Sequence, residues 1–359
     1  MQIKPGDFQL TAQALLFDPE LYLFDFVPDR DTSRFLMVQE KNLDLAPFVD
    51  IRFEPLAQGQ FTVSTKELFA LEKMHNIKRP QSAFIFHHAF VCSTLLARCL
   101  NQLDAFFSLK EPWILRRLSD FKRNQGQLIT RKQWREMFSC NLNLLARNYK
   151  TGTKPVIKVT NVANNLVSDV LNYLPGHKIL YLYSDLKSFL VSNLKKPKDT
   201  QEKMPGLAAS FLSDEDFAQR FPQFSQVRQL SFLQVCAVIW MVNLYNFKRS
   251  TEKFSTSNVK TLEMDHFLNN MDASLVLLSN FFGHQATTAE VQQMLDPGII
   301  QTNAKHQNIA YGQQTRKAET DQIIHQYGND IDKVMNWVRP LLKELSLMDY
   351  CASIRLNNN

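Results

Sequence analysis

Residues 83–103 read AFIFHHAFVCSTLLARCLNQL, and a change of period inside this stretch decides the fold. Ala83–His88 is a short apolar and aromatic run, the length of a buried strand, and from Ser93 to Leu103 the apolar residues recur at helical spacing. A buried strand that passes through a short loop into a helix is the building unit of a parallel sheet.

The same hand-over repeats downstream. Ala105–Leu109 leads through Lys110–Glu111–Pro112 into a helix containing Trp113–Phe121, with Pro112 suited to a helix start. A long amphipathic helix, Arg131–Tyr149, precedes the strand Pro155–Val159 and the helix Ala163–Leu174. Lys178–Tyr183 then feeds the helix Leu186–Lys195. This alternation predicts an α/β fold with a P-loop NTPase-like parallel sheet flanked by helices. Further along, Pro197–Gln223 reads as a polar loop, Val227–Lys248 as a long buried helix, Val259–Glu263 as a strand, Ala273–Phe282 and Ala289–Leu295 as helices, Gln301–Arg316 as a loop, and Asp330–Leu345 as a last helix containing Pro340. Residues 1–78 carry short strand-like runs (Leu21–Val27, Arg34–Val38) and a helix, Thr65–Met74. They are expected to form a small N-terminal extension to one α/β domain over 79–359, and no chemistry is assigned to them.

Composition narrows the class. With 45% hydrophobic and 21% charged residues in 359, the chain is globular, and 41 Lys+Arg against 35 Asp+Glu suit an anionic ligand without forming a nucleic-acid-binding stripe. The cysteines, Cys92, Cys99, Cys140, Cys236 and Cys351, are odd in number, widely spaced and lack a Cys-x-x-Cys, so a reducing, cytoplasmic setting is expected and a thiolate metal site is not. The most apolar stretch, Phe232–Phe247, is interrupted by Gln234 and Asn243 and reads as a core helix rather than a membrane span. Neither a nucleic-acid partner nor a membrane is expected.

The chemistry is expected at the first strand–loop–helix. A helix that starts where a strand ends presents unpaired N–H groups and a partial positive charge, which makes Ala89–Thr94 an anion cradle, with Ser93 and Thr94 adding hydroxyls. The bland alternative is an ordinary capped helix with Ser93 as its cap.

FIFHHAFVCSTLLARCL resembles the phosphosulfate-binding loop of the sulfotransferase family, in which a strand leads through a loop into a Ser/Thr-Thr-Leu-Leu helix start. SLKEP after the second strand, and KPVIKVTNVANNLVSDVLNYLPGHKILYLYSDLKSFLVSNLKK, are similar to further family segments. The resemblance spans about residues 80–200 and, more faintly, VKTLEMDHFLNN and the Ala304–Lys305 pair. It implies a P-loop-type fold and phosphoadenosine phosphosulfate (PAPS) as donor. It also implies that Phe90, Val91, Cys92, Ser93 and Thr94 hold the phosphosulfate, and that Ser184 and Ser192, eight positions apart, face the second phosphate. The acceptor is expected to be a small molecule, saccharide or peptide bearing a hydroxyl or amine, and no metal is required.

Three positions differ from the family pattern: no glycine lies between Gly59 and Gly126, Phe90 stands where the family has a cation, and Ser184 where it has Arg. His87, His88 and Lys187 are the nearest substitutes for the cation. Glu111 is the candidate general base, competing with a plain first-turn acid; His87 and His88 are candidate bases competing with satisfied strand-end polar groups. Lys305 and Arg316 are candidates for a lid, or are solvated loop charges. Cys92 reads as a small packing residue, Lys158 and Asn161 as further strand-end candidates, and Lys195–Lys196–Pro197–Lys198 as a solvated helix end. Two other functions stay open: binding without turnover, and a kinase-like phosphotransferase, which the absent P-loop lysine disfavours.

Overall fold

The computed structural model describes residues 11–357 apart from 78, 148, 304–308 and 311. Among the described residues, eight strands carry the architecture. The first three, β1 (Leu21–Val27), β2 (Thr32–Met37) and β3 (Gly59–Ser64), form an antiparallel sheet in that order. The other five, β4 (Ala83–His87), β5 (Phe106–Lys110), β6 (Lys154–Lys158), β7 (Lys178–Tyr183) and β8 (Val259–Glu263), form a parallel sheet in the order β5-β6-β4-β7-β8. β4 is therefore central, and the loop that follows it opens at the point where the strand order changes direction. Crevices of that kind are where open α/β sheets bind ligands.

Alternation along the strands sorts the core. Phe84, Phe86, Leu109, Ile157 and Tyr181 point into one large cluster, while Ala83, Ile85, Val156, Leu180 and Leu182 join a second cluster on the opposite face. The first face is covered by the helix Phe232–Thr251, whose two capping-box partners, Ser231 and Gln234, fix its start. The second is covered by the helices Ser93–Leu100 and Met271–Phe281. Residues of β1 and β2 and the helix Thr65–His75 bury their apolar side chains in the first cluster too, so the N-terminal residues share its core. Among the described residues no helix is long and apolar enough to cross a membrane.

Several expectations are corrected. β3 has no counterpart in the sequence reading, because Gly59–Ser64 is an edge strand with mostly exposed or half-exposed residues and no apolar signature. Pro197–Gln223 is not a loop but holds the helices Lys198–Gln201, Met204–Leu212 and Phe217–Arg220; Pro205 and Gly206, which look like breakers, sit in the first turn of the second, where proline costs no hydrogen bond. The final helix runs from Gln313 to Leu345, 33 residues with Pro340 inside, and begins well before Asp330. Its first half buries too few apolar side chains to leave a periodic signal, as only Ile331, Val334, Val338 and Leu345 are buried along its length. Arg316 is thus on the first turn of this helix and not in a loop, and Lys305 lies outside the described residues.

Candidate functional site

The loop after β4 turns through left-handed backbone without glycine. Phe90 (φ 66°) and Cys92 (φ 58°) are both left-handed, as is Glu111 (φ 57°) after β5. For residues with a Cβ this conformation costs about 1–2 kcal/mol each, and it collects at sites where function constrains the backbone. The other non-glycine residues with positive φ among the described residues, Asp31, Asn76 and Ser346, include the two residue types that tolerate that region best.

The helix Ser93–Leu100 begins at Cys92 with no side-chain cap. The neighbouring parallel-sheet helix Leu186–Leu194 has its Asp185 carboxylate on the Ser188 N–H, at 3.0 Å. Ser93 and Thr94 are buried, 5% and 4% exposed. A buried helix start with no cap leaves its first N–H groups in need of an acceptor. Val91 is buried and Phe90 half-buried over the loop, and the ammonium of Lys196 lies 4.3 Å from the centre of the Phe90 ring. The helix end read as solvated therefore delivers a cation to the Phe90 ring.

Burial favours the neutral form of both His87 and His88. His88 accepts the Ser184 N–H on Nε2 at 2.9 Å and donates from Nδ1 to the Ala89 carbonyl at 3.1 Å, so it is locked as one neutral tautomer with both nitrogens used. Burial pushes it down to about 4. His87 donates from Nδ1 to the His88 carbonyl at 2.8 Å, and burial, with the Lys158 ammonium adding to it, pushes it down to about 3. Its buried Nε2 has no partner. Desolvation outweighs the opposing pull of the Glu111 carboxylate on His87 and of Asp185 on His88, so burial disfavours a charged imidazole at either position.

Glu111 meets Lys158, which ends β6 and is 1% exposed, in an ion pair, while the Glu111 N–H donates to the Lys158 carbonyl at 2.7 Å. The carboxylate is only partly covered, so one face remains accessible. The N-terminal residues reach this point, a meeting with no local signal along the chain. The Val49 N–H donates to the Lys110 carbonyl (2.6 Å), the Trp113 N–H to the Val49 carbonyl (3.0 Å), and Phe48 lies under both the Lys158 ammonium (5.6 Å) and the Arg52 guanidinium (3.7 Å). Only long-range pairing brings them there.

Ser184 is buried, and its carbonyl accepts from the Trp240 indole at 2.8 Å, so its backbone is spent on holding β7 to β4 and the helix Phe232–Thr251. Ser192 is half-buried in the helix Leu186–Leu194. Arg316 is half-buried on the face of its helix that carries Glu319 and Thr320, both bound by Lys195 (3.3 and 3.2 Å). Helical spacing thus sets Arg316 near the end of the Leu186–Leu194 helix even though it is not in a lid loop. The sequence reading missed Asn164, whose Nδ2 donates to the His87 carbonyl (3.0 Å) and to Asn243 Oδ1 (2.9 Å), leaving Oδ1 buried without a partner. The Asn164–Asn165 pair following β6 was its only signal.

No protein-family model matches this chain, and no curated protein is similar to it in sequence. Solved structures similar to it include the sulfotransferase domain from the curacin biosynthetic pathway, at 12% identity and TM-score 0.43 over 70% of this chain and 99% of that one. Sulfotransferase STF9 from Mycobacterium avium and sulfotransferase STF1 from Mycobacterium tuberculosis H37Rv are each 11% identical, with TM-score 0.39, over 74% of this chain and 81% of theirs.

Proposed function

We propose that the chain is a sulfotransferase-like enzyme that binds PAPS at Ala89–Thr94 and transfers its sulfuryl group to a hydroxyl or amine acceptor. The observation that carries this reading is the uncapped start of the Ser93–Leu100 helix behind a glycine-free, left-handed loop at the end of the central strand. The donor supplies an activated sulfuryl group whose S–O bond to phosphate breaks as the acceptor oxygen or nitrogen attacks in line. The Ser93 and Thr94 hydroxyls and the first N–H groups of the helix fit its anionic end. Lys196, moving with or away from the Phe90 ring, brings the positive charge that the leaving phosphate needs. Glu111 takes the acceptor proton, and Lys158 aims that carboxylate. The second phosphate fits less well: Ser184 offers no guanidinium, and Arg316 is the proposed substitute for it.

The test is titration calorimetry with adenosine 3′,5′-bisphosphate and, separately, ATP with magnesium. Tight binding of the bisphosphate, lost in Thr94→Ala, supports the reading; preference for ATP, or a bisphosphate affinity indifferent to Thr94, overturns it. A second reading, binding without turnover, is favoured by Phe90 in the cation position. Under it the bisphosphate binds, but no acceptor is sulfated, and Glu111→Gln changes nothing beyond stability.

A further inference from the structure

The opposite edge of the parallel sheet holds a cavity of ≈ 190 Å³ between the starts of β4, β6 and β7. Lys154 opens β6 and Lys178 opens β7, with β4 between them, so both ammonium groups line it. Lys154 Nζ bonds the Phe282 carbonyl; Lys178 Nζ bonds the Ser257 carbonyl at 3.0 Å and Asn258 Oδ1 at 2.9 Å. Among the described residues neither has a carboxylate partner, and together they retain about three N–H donors. Ser82, also on the wall, is 2% exposed and its hydroxyl has no partner. Gly176 (φ +88°) and Gly283 (φ +89°) keep the wall open, since a Cβ at Gly283 would meet Lys154 Nζ at 3.0 Å. Burial, and after it the Lys178 charge, lower the Lys154 pKa, while burial and Lys260 lower that of Lys178.

We infer that this cavity is a second anion site, which takes a small phosphate or phosphate-ester ligand. Spare ammonium donors and one hydroxyl match the three oxygens of a tetrahedral oxyanion better than the two of a carboxylate. The site is independent of the sulfuryl donor reading, because it lies beyond the amino ends of the strands.

Inorganic phosphate is the probe, titrated by calorimetry and by thermal shift at constant ionic strength against chloride. Thr94→Val is expected to retain a phosphate site, and Lys178→Gln to weaken that site by about tenfold or more. Because Lys154→Gln also uncaps the Phe282 carbonyl, Ser82→Ala serves as the milder variant and is expected to weaken phosphate several-fold without loss of fold. Phosphate binding that survives Lys178→Gln and Ser82→Ala, that is lost in Thr94→Val, or that is absent from the wild type overturns the inference.

Discussion

The Ser184 N–H donates to Nε2 of His88 across 2.9 Å, tying the end of β7 to the end of β4 through a neutral imidazole. Both histidines at this strand end titrate far below the ordinary 6.5, His88 to about 4 and His87 to about 3. Between those limits the unfolded chain carries about two more protons than the native one. The stability they contribute is fully present above about pH 6.5 and is lost as pH falls, at about 2.7 kcal/mol per pH unit near pH 5. Urea denaturation of wild type and His88→Gln across pH 4.5–7 checks this: the slope in the variant should be shallower by about one proton, and equal slopes would rule out a neutral buried His88.

Cys92 holds a left-handed conformation at the start of the Ser93–Leu100 helix. Glycine there relieves about 1–2 kcal/mol of strain and gives back about 0.4–1 through the looser unfolded chain. Cys92→Gly should therefore be neutral to slightly stabilising, whereas β-branched Cys92→Val should lose about 2 kcal/mol. Chemical denaturation of the two variants decides the order.

Lys158 is sealed from water and Glu111 is its carboxylate partner. Glu111→Gln takes the carboxylate away from a buried ammonium and is expected to cost about 3 kcal/mol, with Lys158→Met costing less because Glu111 is partly exposed. The double variant should be more stable than the sum of the singles by at least about 1 kcal/mol in a double-mutant cycle. Additive costs would mean that the pair does not interact.

Arg147 is fully buried and its guanidinium donates to the carbonyls of Leu144, Asp18, Leu21 and Leu15 at 2.6–3.0 Å. It fastens the N-terminal residues to the helix Arg131–Leu145. Arg147→Met strands those acceptors and should lower stability by about 3–5 kcal/mol, read as a fall in the denaturation midpoint.

Lys196 faces the Phe90 ring, while its neighbour Lys195 is bound to Glu319 and Thr320. Lys196→Ala should weaken adenosine 3′,5′-bisphosphate about tenfold, and Lys195→Ala less than about threefold. Titration calorimetry at two salt concentrations separates the loss of this cation from general screening.

Much of the parallel sheet was legible because each strand is buried on both faces: β7 and β8 lie where the runs Lys178–Tyr183 and Val259–Glu263 put them, and β4–β6 shift by a residue. Solvated elements left weaker marks. The exposed first half of the Gln313–Leu345 helix and the edge strand β3 bury too little to impose a pattern. Ser93 and Thr94 could be assigned to a helix start because a helix start is a local event.

By itself the sequence determined the strand–loop–helix of Ala83–Leu100 and the succession of parallel units, since period and burial are local properties of a chain. The tertiary structure alone decided the company those residues keep. It buried His87 and His88 into neutrality, carried Lys196 to Phe90 and Lys158 to Glu111, and set Lys154 beside Lys178 across β4. Charge state and partnership depend on desolvation and on distances across the sheet, and neither is written along the chain.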